Sequence, residues 1–329
     1  MVNVKRHLIK VVKAVFLILV LYFLWKYIKG NIDDLKQVKF TIDIGLLLLS
    51  VLIFVVYKVN LCLLWHLITI KNNGAISLQK AFVSWFYSLL GKYIPGKVFF
   101  LGARLYYYHQ EGVSKKNITF CFLLENICTL LGAAFLFIVS LLFIPNPVLQ
   151  QYRLAVLLLL AVFFIGVHPA VLDRVLNLPL RLLKKKTMKL EIRYRDILQL
   201  VLLFIINWLI VGIGFYVLVH SFYPIELKFI FYVSGAFGLS IIIGILSLFA
   251  PSGIGVREGV MIFALSLIMP ESAAVVVSII SRLWMTFTEL FLVAVVFIYA
   301  KLKRISFSLE KTKELAKDQK KDEPESDGI

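Results

Sequence analysis

The residues most able to do chemistry sit where charge is least expected, inside long apolar stretches. Arg257 and Glu258 lie in the segment Pro251-Ser252-Gly253-Ile254-Gly255-Val256-Arg257-Glu258-Gly259, at a break in an otherwise apolar region. Lys92, Lys97 and Arg104 surround a second break at Pro95-Gly96. Glu125, Arg282 and Glu289 fall within uninterrupted apolar runs. Ionisable groups at membrane depth are costly and face a polar interior or a cavity. Freed backbone amides and a new helix N-terminus beside Arg257 would suit an anion. The cations at the first break would receive a phosphate or pyrophosphate group. Arg282 and Glu289 are seven residues apart, on one helix face, separated by about 10 Å along the axis. The chemistry implied is reversible binding of a charged headgroup, with no catalytic residue.

Each feature also has a plainer reading. The Pro/Gly segment serves equally as a turn whose Gly255 and Gly259 let helices approach closely. It has the outline of a dinucleotide-binding GxGxxG, but Glu258 stands at the third glycine position and no βαβ unit surrounds it. Glu125 and Arg282 could pair with each other, or each could meet the charges of a neighbouring break; either way a buried ion pair fixing helix register is the simple account. Lys58, Lys92 and Lys97 read as snorkelling cations, and Tyr106-Tyr107-Tyr108 as an interfacial aromatic belt. The three cysteines and five histidines form no CxxC or HExxH pattern, so no metal, disulfide framework or cofactor is expected.

Composition sets the frame for these residues. Of 329 residues, 60% are hydrophobic and 17% charged, and the mean hydropathy is +0.90. Soluble domains are about 45–50% apolar and about 25% charged. A soluble enzyme, a disordered chain and a secreted disulfide scaffold are excluded. The fold class expected is an all-α polytopic membrane protein. The formal charge of +17 follows the bias of cytoplasmic loops toward Lys and Arg; the cations flank spans and form no separate basic domain, so nucleic acid is not an expected partner.

Six stretches have the roughly 20 apolar residues a crossing needs: 9–28, 44–67, 118–143, 153–170, 197–219 and 273–300. The first, preceded by Lys5, Arg6, Lys10 and Lys13 and lacking an A-x-A site, reads as an uncleaved signal anchor. Regions 78–110 and 229–268 are apolar but broken by Pro and Gly, as re-entrant hairpins or pairs of short spans. The basic loop from Arg174 to Arg195, the N-terminal cations and Lys301, Lys303 and Arg304 all fall on the cytoplasmic side if each broken region crosses an even number of times. Both termini are then cytoplasmic. Each broken region is followed by a full span, in opposite orientations, and an ionisable residue follows each Pro by about 30 positions. That is the outline of an inverted repeat with a site near the midplane. Residues 1–304 form the membrane domain, and the mixed-charge tail 305–329 reads as disordered and cytoplasmic.

At the two breaks the chain resembles a known family. GKYIPGKVFFLGARLYYYHQEGVSKKN followed by Glu125, and APSGIGVREG followed by Arg282, are similar to the lysylphosphatidylglycerol synthase transmembrane region, also described as flippase-like membrane proteins. The resemblance covers about residues 10–300. In full-length synthases this region implies translocation of aminoacylated phosphatidylglycerol to the outer leaflet, while a separate C-terminal domain makes that lipid from aminoacyl-tRNA. The resemblance therefore implies a flippase-like domain in the cytoplasmic membrane without the synthase half. The synthase-like branch tends to carry E-R-x-x-D where this chain has Glu125, Asn126 and Thr129, which counts against a lysyl-lipid substrate. Stand-alone relatives point instead toward glycolipid or polyprenyl-linked lipids. The leading expectation is a translocator of lipids with anionic or zwitterionic headgroups. Arg257 and Arg282 would contact the phosphate, Glu125 and Glu258 would balance those charges or sense protons or an amino group, Lys97 and Arg104 would recruit the headgroup, and Glu289 is counted among the substrate-binding residues. Two other expectations stand beside it: a non-transporting subunit that anchors or regulates a lipid-modifying enzyme or glycosyltransferase, and, more remotely, a phosphatidylglycerol lysyltransferase.

Overall fold

The computed structural model describes residues 42–92, 98–143, 153–182, 193–247, 253 and 255–305. The expected first span 9–28 and the charged tail from 306 lie outside the described residues. Among the described residues the chain is helical and has no strand. In order, the α-helices are α1 Ile44–Lys71, α2 Leu78–Leu89, α3 Val98–Gln110, α4 Lys115–Ser140 and α5 Arg153–Gly166, then α6 Pro169–Leu182, α7 Tyr194–Phe222, α8 Ile230–Leu246, α9 Val256–Leu265 and α10 Glu271–Leu302. Short 3-10 turns follow α2 (Leu90–Lys92) and α4 (Leu141–Phe143) and precede α8 (Leu227–Phe229).

Five of these segments are long and apolar enough to cross a membrane: Ile44–Lys71, Lys115–Phe143, Tyr194–Phe222, Leu227–Leu246 and Glu271–Leu302. Four match expected spans. Two expectations need correction. The stretch 153–170 is not one full helix: α5 stops at Gly166, and Pro169 opens α6. Proline suits the first turn of a helix and disfavours helix in the residue before it. The 14 residues of α5 reach about 21 Å, short of a hydrocarbon core of about 30 Å. Region 229–268 is also not two short halves. Its first arm is a continuous apolar helix with its 3-10 lead-in, 20 residues long, while the second, α9, has 10. Gly235, Gly238 and Gly244 do not break the first arm, because small residues in an apolar helix admit close neighbours. The helix ends only at Ser247, ahead of Pro251.

The chain divides into two compact units, residues 1–57 with 127–286 and residues 58–126 with 287–329. In the larger unit α7 packs on α8 and α8 on α9. A Cβ on Gly212 of α7 would lie 2.5 Å from the Ser234 side chain of α8, so only glycine permits that crossing. Phe215 stacks on Phe237 at 4.6 Å between ring centres, and Trp284 lies 4.5 Å from Phe54 and 6.3 Å from Phe237. In the smaller unit α2 packs on α3 around Trp65, Trp85, Phe86 and Tyr108, all essentially inaccessible. The α1 segment of this unit ends where Asn73 takes a left-handed φ of 52° and the Gly74 N–H donates back to Thr69 O at 2.8 Å, a helix stop of the αL type.

Candidate functional site

Six of the charges within apolar segments are placed in three ion pairs. In the smaller unit α3 carries Arg104 and α4 carries Glu125, 21 residues apart. Arg104 donates through Nη1 to Glu125 Oε2 and through Nε to Ser88 Oγ at 3.2 Å. The Trp85 indole donates to Glu125 Oε1 at 3.3 Å. The guanidinium carbon sits 4.1 Å from the Trp65 ring centre and 4.6 Å from that of Phe100, with Trp85 and Phe122 each at 5.6 Å. Arg104 has no accessible surface. A planar cation between aromatic faces, fixed in its plane by a carboxylate, suits arginine and not lysine. Glu125 thus meets the cation of its neighbouring break, one of the two pairings left open by the sequence, and Arg104 is enclosed within protein.

The second pair, also in the smaller unit, joins Lys58 Nζ to Glu289 Oε1 at 2.7 Å. Both residues are buried, so Lys58 does not snorkel as expected. Glu289 shares α10 with Arg282 but finds its partner on α1. The sequence held a signal for this: Lys58, Glu125, Arg282 and Glu289 are two cations and two anions inside spans, and such charges pair when buried.

The third pair lies in the larger unit and is built on the second break. Gly253 and Gly255 have φ of 69° and 85°, a region that L side chains rarely adopt. A Cβ on Gly253 would lie 2.7 Å from Gly244 Cα, so the break presses directly onto α8. Gly255 precedes α9, whose first turn carries Arg257 and Glu258. The Gly255 N–H donates to Glu258 Oε2 at 2.6 Å, which caps the helix and places the carboxylate in the favourable field of its N-terminus. The other oxygen, Oε1, accepts from Arg282 Nη1 at 2.8 Å, and Ser278 Oγ donates to the Glu258 carbonyl at 3.4 Å. Arg257 is buried with its guanidinium 5.4 Å from the Phe237 ring centre. The Arg282 side chain keeps 26% of its surface exposed, against 0% for Arg104 and 8% for Lys58. Of these three paired cations it is the one a ligand can reach.

Lys97, Pro95, Gly96 and Pro251 lie outside the described residues, as does most of the basic stretch between α6 and α7. The tyrosine run is not a uniform belt. Tyr106 is exposed, while Tyr108 is fully buried and accepts from Trp65 Nε1 at 2.7 Å. Sequence reasoning missed the aromatic cage, because Trp65, Trp85, Phe100 and Phe122 look like ordinary apolar residues until Arg104 is placed among them. Among the described residues no three potential metal ligands gather.

Membrane-length apolar helices with charges paired at their depth define an integral membrane protein. More narrowly, the chain belongs to the lysylphosphatidylglycerol synthase TM region family, whose model matches residues 10–296. No curated protein and no solved structure matches it.

Proposed function

We propose that the protein is a lipid translocator of the cytoplasmic membrane, with both termini cytoplasmic, and not an enzyme. It moves a lipid with an anionic or zwitterionic headgroup past the Glu258–Arg282 pair while the acyl chains stay in the bilayer. The observation that carries this reading is the partial exposure of Arg282 beside the capped N-terminus of α9, at a helix break within an apolar region. A headgroup phosphate approaching Arg282 finds a cation already oriented by Glu258, with Arg257 on the same turn as that carboxylate. Glu258 holds the Arg282 guanidinium in place and offsets its charge, which lowers the cost of holding that cation there.

An inverted repeat also fits the two units. In each, a helix that follows a Pro/Gly segment is ion-paired to the long helix after it, Arg104 of α3 with Glu125 of α4 in one and Glu258 of α9 with Arg282 of α10 in the other. The signs are exchanged between the two, and the accessible cation belongs to the second. Discontinuous helices at such repeats are where transporters build their sites.

The test uses purified protein in liposomes and follows leaflet exchange of headgroup-labelled phosphatidylglycerol, its lysyl ester, a glycolipid and a polyprenyl phosphate. Arg282→Gln and Arg257→Gln are expected to remove exchange of the preferred lipid and leave a folded, inserted protein. Normal exchange by both variants would refute the site.

A further inference from the structure

A groove of about 580 Å³ runs along one face of the smaller unit. Tyr87 of α2, Ala103 and Tyr107 of α3, and Leu290, Ala294 and Phe297 of α10 are among its walls. We propose that this groove seats one hydrocarbon chain of a bilayer lipid, an inference about the smaller unit alone that goes beyond the translocator reading.

Three observations select the occupant. The lining holds no charged side chain, and the phenol hydroxyls of Tyr87 and Tyr107 are its only polar side-chain groups, so an ion, a sugar or a nucleotide has nothing to bind. The groove is elongated: its wall on α10 runs from Leu290 to Ile298, about 12 Å at the helical rise. It also opens onto the exposed apolar surface formed by Leu290, Phe297 and Ile298, with Phe291 and Val295 alongside, on a helix of membrane-spanning length. The medium meeting that surface is hydrocarbon. Ala103 and Ala294 supply small side chains where larger ones would fill the space, and the volume falls within the roughly 300–1,000 Å³ of ordinary ligand sites. The tyrosine rings stand 5.9 Å apart between centres and present aromatic surface to the groove.

The experiment places the full-length protein in nanodiscs of phosphatidylcholine and phosphatidylglycerol, with a trace of lipid carrying a mid-chain diazirine. After photolysis, labelled peptides are mapped by mass spectrometry. The expected result is label concentrated on Tyr87, Tyr107 and the 290–298 peptide, above that on the outward face of α5, where Leu154, Leu158 and Val162 are exposed. Ala294→Trp fills the groove and should reduce the label there to the level of α5, with α5 labelling unchanged. Ala103→Leu, a smaller change, should reduce it in part; the wild-type map is decisive if the larger variant does not fold. Label spread evenly over both regions, or groove crosslinks to a second copy or to the 9–28 segment of the same chain, would overturn the proposal. The readout needs no transport. An unlabelled groove with leaflet exchange intact removes this inference alone, and a labelled groove without exchange removes the translocator reading alone.

Discussion

Replacing Arg104 by Met isolates the energetics of the buried cage. The substitution keeps a long flexible side chain against Trp65 and Phe100 but takes from the Glu125 carboxylate, 6% exposed, the guanidinium paired with it. Breaking a buried pair by removing one partner costs about 3–5 kcal/mol, mostly for the stranded charge. The charged hydrogen bond to Ser88 and the close aromatic contacts place Arg104→Met toward the upper end, about 4–5 kcal/mol. Glu125→Leu alone strands the arginine and should cost a similar amount. The double variant removes both charges and should recover most of the loss, ending about 1–2 kcal/mol below wild type, since a hydrophobic replacement of a whole buried pair is often close to neutral. The four proteins form a double-mutant cycle whose coupling, the sum of the single losses less that of the double variant, is about 6–9 kcal/mol. Reversible unfolding in mixed micelles, followed by tryptophan fluorescence and circular dichroism, measures it. Arg104→Met costing under about 1 kcal/mol, or single losses that simply add in the double variant, would refute the claim that the pair is desolvated and mutually compensating.

The other consequences are checked with the same preparations. Lys58→Met should lower thermal stability sharply and Glu289→Leu placed on top should restore most of it, because the stranded carboxylate and not the missing cation is the larger cost. Gly253→Ala should cost about 1–3 kcal/mol through its left-handed backbone and its Cβ contact with Gly244, measured as a fall in melting temperature. Gly259→Ala, a matched control on α9 where a new Cβ meets nothing within 4 Å, should be neutral or stabilise by about 0.5–1 kcal/mol through helix propensity.

The membrane class and four of the five span-length helices were legible in the sequence, because crossing a bilayer imposes long apolar runs. The position of α5's end was not, since hydropathy averages across Gly166 and Pro169 while the backbone cannot. The continuity of α8 was hidden for the converse reason: its glycines look like breaks but serve close packing. Glu258 and Arg282 were legible as charges out of place, whereas their pairing was not, because partners 24 residues apart are set by how α9 packs on α10. Lys58 shows the limit most clearly. Composition suggests that a lone cation on an apolar helix reaches for water, and only the packing places a carboxylate within reach inside.

The central claim is that this chain alone moves lipid between leaflets, and one time course tests it most directly. Purified wild-type protein is placed in liposomes holding a headgroup-labelled lipid in both leaflets, and dithionite quenching is followed against protein-free liposomes. The account predicts that quenching proceeds beyond the outer-leaflet half toward completion for at least one charged-headgroup lipid, at a rate rising with protein density. Quenching that stops at the outer half for every lipid in the panel, with the protein correctly inserted, would contradict it.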